Sequence, residues 1–252
     1  MSGGERDTVV LPLAGTGSRL GLPFPKELLP LGDDGGRTVL DAMVDLLAGC
    51  ADRVRVVAVT GPAGRADTIT RLRERCTALG VPLAVVVQEQ GLAESTGAVL
   101  SAAPWFGPVT LVLLPDQVLH TPDPHAAGQL LDTVRTADSG AGFLAARESD
   151  PARLAADGAL RIEHHPDTGL RVADYADKPG PGAVDGFNAV WFGYAFTRAT
   201  AHRFLPVLHA ATLRRPMVEL GPVAGAAVVE VGPFTDLGTW PAVRTWWQGT
   251  GR

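Results

Sequence analysis

One stretch limits what this chain can fold into more than any other: a β-branched run, Thr8 to Leu13, that passes without a break into Ala14-Gly15-Thr16-Gly17-Ser18-Arg19. The run reads as a strand, and glycines directly after it leave the backbone unshielded, free to approach another group closely. Backbone N–H groups closed off by a guanidinium suit an anion, and phosphate is the obvious guest. A second cation, Lys26, follows seven positions after Arg19, between Pro25 and Glu27, so that a triphosphate could be gripped from two sides. Spacing argues against two familiar phosphate motifs. The P-loop closes on Gly-Lys-Ser/Thr, which is absent here. The dinucleotide fingerprint needs G-x-G-x-x-G, whereas Gly15, Gly17 and Gly21 are spaced G-x-G-x-x-x-G.

Beyond this loop, short apolar runs alternate with stretches of helical period. Helices are expected at Thr38 to Ala48, opened by a Thr38/Asp41 capping box, at Ala66 to Leu79, at Glu94 to Ala103 and at His125 to Thr136. Strands are expected at Val54 to Val59, Leu83 to Val87, Val109 to Leu114 and Phe143 to Ala146. That order predicts parallel crossover units, hence a doubly wound, mostly parallel, Rossmann-like α/β sheet with helices on both faces. From Arg161 the strands shorten: Arg171 to Tyr175, Asn188 to Phe196 and Ala226 to Val231, with His164-His165 expected in a polar turn and helices around Ala199 to Ala211 and Trp240 to Trp247. At 252 residues one domain is expected over 1–252, with a nucleotide-binding half to about residue 120 and an acceptor half beyond it.

Composition narrows the partners. Lys and Arg number 22 against 27 Asp and Glu, a formal charge of −5, which argues against a nucleic-acid surface and for a small-molecule substrate. No stretch approaches the run of apolar residues needed to span a bilayer, so no membrane partner is expected. Cys50 and Cys76 lack CxxC spacing, and MSGGERDT carries no basic-then-apolar leader, so the expected compartment is the cytoplasm.

The loop and the segments after it resemble the sugar-1-phosphate nucleotidyltransferases, most closely the bacterial UTP–glucose-1-phosphate uridylyltransferases. PLAGTGSRL and PKELLPL carry the resemblance first; Gly91-Leu92-Ala93, Leu113-Leu114-Pro115-Asp116, Asp177-Lys178-Pro179, Asn188-Ala189-Val190 and Asp236-Leu237-Gly238-Thr239 follow in the family's order. The resemblance implies a GT-A type nucleotidyltransferase fold. It also implies transfer of a nucleoside monophosphate from a nucleoside triphosphate, UTP or dTTP, to a sugar-1-phosphate or cyclitol phosphate, with release of pyrophosphate.

Within that resemblance Leu13, Ala14, Gly15, Thr16, Gly17 and Ser18 cradle the nucleotide, Arg19 and Lys26 grip its phosphates, and Gln88 and Gly91 face the base, with Gln90 able to stand in for Gln88. Asp116, just past a strand end where open α/β sheets bind ligands, and Asp236 are the implied Mg²⁺ ligands. Lys178 is implied on the acceptor phosphate, and Asp177, Asn188 and Ala189 in the sugar pocket; the family usually has Glu where Asp177 stands. Glu219, in the compressed stretch Leu213 to Gly225, reads as a remnant of an acidic motif, and the resemblance is compatible with a homo-oligomer. Two other readings stay open. The short gap between Arg19 and Lys26 suits a cytidylyltransferase acting on another phosphate or phosphonate. A silent nucleotide-binding module would keep the fold, though not for any evident reason all five of Arg19, Lys26, Asp116, Lys178 and Asp236.

Overall fold

The protein is described by a computed structural model covering residues 5–15, 20–32, 36–62, 65–92, 94–213 and 220–250. Thr16, Gly17, Ser18, Arg19 and Glu219 lie outside the described residues. The first strand, β1 (Asp7–Leu13), is buried along its whole length. Its side chains alternate between two cores: Val9, Leu11 and Leu13 join one, Val10 the other. A strand apolar on both faces belongs in the middle of a covered sheet, and β1 lies between β2 (Val54–Thr60) and β4 (Val109–Leu113), parallel to both, with β3 (Leu83–Val87) at the edge.

Helices cover both faces. On one, α1 (Val39–Asp45), α2 (Ala66–Leu79) and α4 (Ala126–Thr136) supply Leu40, Met43, Leu72, Cys76 and Leu130; on the other, α3 (Glu94–Ser101) and α6 (Ala201–Thr212) supply Ala98, Val99, Phe204 and Leu208. The Thr38 capping box is present: Asp41 N–H donates to Thr38 Oγ1 at 3.3 Å and Thr38 N–H to Asp41 Oδ2 at 2.7 Å. Cys50 and Cys76 are buried free thiols, and burial pushes both up to about 11, so they pack as small apolar groups.

The expectation of a mostly parallel sheet needs correction, because the nine-stranded sheet is mixed. Its order is β3-β2-β1-β4-β9-β6-β10-β8-β7, where β6 is Ala141–Arg147, β7 Gly158–His165, β8 Gly169–Asp177, β9 Ala189–Thr197 and β10 Ala227–Glu230. Strand β9 runs antiparallel to both β4 and β6. Strands β7 and β8 are joined by only three residues, Pro166 to Thr168, and a connection that short permits antiparallel pairing alone. His164 and His165 are therefore strand residues, opposite Leu170 and Gly169, and the turn lies just beyond them.

Three short elements escaped the sequence pattern. The helix α5 (Pro151–Ala156) is capped by Asp150, whose carboxylate accepts from Ala152 N–H at 2.9 Å. Strands β5 (Gln117–Leu119) and β11 (Phe234–Asp236) form a two-stranded ribbon that puts Asp236 opposite Gln117. The last helix, α7 (Trp240–Thr250), clamps the segment carrying Lys26. Trp240 Nε1 donates to Leu20 O at 2.8 Å, Trp246 Nε1 to Leu31 O and Trp247 Nε1 to Pro30 O, both at 3.0 Å.

Candidate active site

A cavity of about 490 Å³ opens at the carboxyl ends of β1 and β4 and runs under α3 and α6. Leu13, Ala14 and Gly15 enter it from the end of β1, Lys26 and Glu27 from a single 3-10 turn (Lys26–Leu28), and Gln88 from the end of β3. Leu114, Pro115 and Asp116 line it past β4, with Asp236 at the end of β11 and Gly238 just beyond. The expected metal pair thus shares one cavity. The β5–β11 ribbon explains why: it pairs Asp236 with Gln117, the residue after Asp116, and Leu237 N–H donates to Asp116 O at 2.7 Å.

Lys26 Nζ forms an ion pair with Asp116 Oδ2. Asp236 Oδ1 accepts from Gly238 N–H at 2.6 Å, yet its carboxyl is pushed up to about 6, first by burial and then by the negative charge of Asp116. Asp157 pushes the same way; Lys26 and the Gly238 bond oppose it without cancelling it. The wall therefore carries more negative charge than Lys26 offsets. Two carboxylates in that condition are a donor set that fits a hard divalent cation, which takes oxygen ligands and would remove the repulsion.

Lys178 also lines the cavity, immediately past β8, with φ of 51°, a conformation uncommon outside glycine. Its backbone N–H donates to Asp157 O at 3.0 Å, which fixes the turn. Asp157, Gly158, Tyr175, Asp177, Trp191 and Tyr194 line the cavity as well. Burial is the first cause, and the charge of Asp177 the second, of the upward shift that keeps the Tyr175 phenol protonated; burial alone does the same for Tyr194. Gly158 admits the Trp191 ring, because a Cβ there would overlap Nε1 of the indole. Among the described residues that buried indole N–H has no hydrogen-bond partner.

The remaining expected residues divide. Gln88 lines the cavity, and its amide donates to the carbonyls of Leu92 and Glu94, holding the loop before α3 closed. Gly97 lets that loop sit tight, since a Cβ there would lie 2.5 Å from the Leu92 carbonyl carbon. Gly91 forms the loop's turn at φ of 96° but is not among the cavity-lining residues. Asn188 and Ala189 do not line it either. Asn188 Oδ1 accepts from Ile162 N–H at 2.9 Å and its Nδ2 donates to Ile162 O at 3.0 Å, so the amide is spent latching β9 to the register shift in β7. Ala189 is fully buried in the core.

Sequence reading missed the aromatic wall, and it missed Thr96, whose hydroxyl meets His209 Nδ1 at 2.6 Å across α3 and α6. It also missed Arg153 of α5. That guanidinium bonds Asp157 at 3.3 Å and Phe234 O at 2.6 Å and lies 4.6 Å over the Phe234 ring, so it braces the strand that carries Asp236.

The model of the MobA-like NTP transferase domain matches residues 9–190. No curated protein matches the sequence. Solved structures with the same fold include an apo UDP-glucose pyrophosphorylase, with 16% identity and a TM-score of 0.71 over 98% of both chains. A UDP-glucose pyrophosphorylase complexed with UDP-glucose is 17% identical, TM-score 0.70, again over 98% of both. A UTP-bound UGPase from Acinetobacter baumannii is 18% identical, TM-score 0.67, over 98% of this chain and 93% of that one. Among the described residues no helix is long and apolar enough to cross a membrane.

Proposed function

The chain belongs to the MobA-like NTP transferase family, and from that premise we propose that it transfers a nucleoside monophosphate from a nucleoside triphosphate, UTP or dTTP, to a sugar-1-phosphate or cyclitol phosphate. The observation that carries this is the convergence of Lys26, Asp116 and Asp236 on a cavity that Lys178 also lines. An oxygen of the acceptor phosphate attacks the α-phosphorus. A new P–O bond forms as the bond to the β-phosphate oxygen breaks, and pyrophosphate leaves with the electron pair. No protein nucleophile is needed, so catalysis is positioning and charge neutralisation.

In this reading Asp116 and Asp236 would hold Mg²⁺, which supplies positive charge beside the reacting phosphates. Lys26, paired with Asp116 in this structure, is placed to exchange that carboxylate for a phosphate oxygen of the triphosphate. Arg19 follows the glycine loop in sequence and is assigned to the same triphosphate. Lys178 neutralises the acceptor phosphate, and its fixed, left-handed turn means that little ordering remains to be done on binding. Asp157 and Asp177 accept hydrogen bonds from acceptor hydroxyls.

One observation favours a second acceptor class. Tyr175, Trp191 and Tyr194 line the cavity together with Asp157 and Asp177, and aromatic rings with carboxylates also suit a cationic head group. A phosphorylated amino alcohol, with CTP as donor, meets that description. The deciding experiment offers the protein Mg²⁺, each of the five common nucleoside triphosphates, and a panel of sugar-1-phosphates, cyclitol phosphates and phosphorylated amino alcohols, and measures pyrophosphate. Release with one donor–acceptor pair identifies the reaction. Silence across the panel from folded protein refutes the transferase reading and favours a binding module.

A further inference from the structure

We propose that Arg65 is the positioning residue of the donor site, a single guanidinium that fixes Gly15, just past β1, and the Lys26 turn relative to each other. It rests on the transferase reading above.

Arg65 stands just before α2, and its side chain is only 11% exposed, although it is not among the cavity-lining residues. Its Nη1 donates to both carboxylate oxygens of Glu27, at 2.9 and 3.1 Å, while Nη2 donates to the carbonyl of Gly15. Thr68 Oγ1, one turn into α2, adds a bond of 2.9 Å to Glu27 Oε1. Glu27 is 1% exposed and Thr68 fully buried. A carboxylate so deeply buried needs a matched cation, and the planar guanidinium reaches two segments at once, Nη1 on the carboxylate and Nη2 on the Gly15 carbonyl, which the single nitrogen of a lysine is not built to span.

Two consequences bear on the donor. Glu27 follows Lys26 directly; neutralised by Arg65, it neither competes for the Lys26 ammonium nor repels an incoming triphosphate. Gly15 is the last described residue before the loop. Its carbonyl oxygen, engaged by a guanidinium, does not turn its lone pairs on the anion. The same side chain therefore removes two sources of negative potential from the donor site and fixes the spacing of Gly15 and the Lys26 turn.

The test uses the whole protein, inorganic tripolyphosphate with MgCl₂ as a base-independent probe read by calorimetry, and steady-state kinetics with whichever substrates release pyrophosphate. Arg65→Gln is expected to weaken tripolyphosphate binding and raise KM for the nucleoside triphosphate at least tenfold, leaving KM for the acceptor within twofold. Arg65→Lys should fall between. Because Arg65→Gln leaves a buried charge, the double variant Arg65→Gln/Glu27→Gln is measured beside it. It should recover the thermal stability of the wild type but not its tripolyphosphate affinity. Recovery of both would reduce the pair to a structural ion pair and overturn the proposal, as would unchanged tripolyphosphate binding by Arg65→Gln. Wild-type protein that neither binds tripolyphosphate nor releases pyrophosphate would overturn the transferase reading, and this inference with it.

Discussion

Replacing Lys26 with alanine tests the donor half of the site at its most exacting point. The ammonium meets Asp116, and both side chains are largely but not wholly buried, at 16% and 13% exposure. Two unit charges 4 Å apart in an effective dielectric near 20 interact by about 4 kcal/mol, and removing one preorganised donor from a transition state costs about 2.7–4 kcal/mol. At about 1.4 kcal/mol per factor of ten, kcat should fall by roughly 10² to 10³. The fold should survive, because the turn is anchored by its neighbours: Glu27 by Arg65 and Thr68, Leu29 and Leu31 in an apolar cluster, Pro30 and Leu31 by the indoles of α7. Losing the ion pair, intermediate between an exposed and a fully buried one, should cost about 1–3 kcal/mol, which for a chain of this length lowers Tm by roughly 2–12 °C. The assay is pyrophosphate release under saturating substrates, with a thermal melt on the same sample. Turnover within threefold of wild type would refute the role given to Lys26. So would a melt lowered by about 15 °C or more, since the lysine would then be holding the fold rather than the phosphate.

Four further outcomes follow from the same geometry. Asp236, with its carboxyl raised to about 6, costs the folded state stability when it ionises, so the metal-free protein should lose stability as pH rises from about 4 through 6. Mg²⁺ should accordingly raise Tm more at pH 7.5 than at pH 5, and Asp236→Asn should abolish that difference; equal shifts at both pH values in the wild type would contradict the assignment. Gly158→Ala forces the Trp191 indole to move, which should cost about 1–3 kcal/mol and raise KM for the acceptor several-fold without changing KM for the triphosphate. Asn188→Ala strands both backbone groups of Ile162, so a melt should show a loss of about 2 kcal/mol while the tripolyphosphate affinity stays put. Trp240→Phe deletes the bond to Leu20 O and should lower stability by about 1 kcal/mol; titration with tripolyphosphate should show weaker binding, because the clamp on the Lys26 segment loosens.

What the sequence disclosed follows the range of the interactions involved. The helix Ala66–Leu79 and the strand Leu83–Val87 match their expected bounds because a periodic apolar pattern is local. The proposed donor residues Gly15, Lys26 and Asp116, which line one cavity, each stand in a short contiguous motif, which is local in the same way. What failed to show was long-range. Strands β5 and β11 are three residues each, too short for any period, and they exist because they pair with each other across more than a hundred positions. Arg65, at a helix start, and Glu27, in a Pro-rich turn, carry no shared local signal, and only the fold brings them together across 38 positions.

The aromatic wall proposed to face the acceptor was hidden by a subtler effect. In a regular strand Trp191 and Tyr194 would point to opposite faces, being three apart, so alternation assigns one to each core and neither pair-wise to a site. The ladder between β6 and β9 breaks this rule. Leu144 sits opposite Gly193 and Ala145 opposite Trp191, which leaves Phe192 as the extra residue of a bulge. One inserted residue flips the phase, so Trp191 and Tyr194 come to the same face, 5.7 Å apart between ring centroids, and both line the cavity. Phe192 meanwhile packs into the opposite core against Phe234, two residues before Asp236. The same irregularity thus gathers that aromatic wall and buttresses the strand carrying the proposed metal ligand. A deletion that restored regular alternation in β9 would damage both halves of the site at once, whereas Gly158→Ala, acting on Trp191 alone, should damage only the acceptor half.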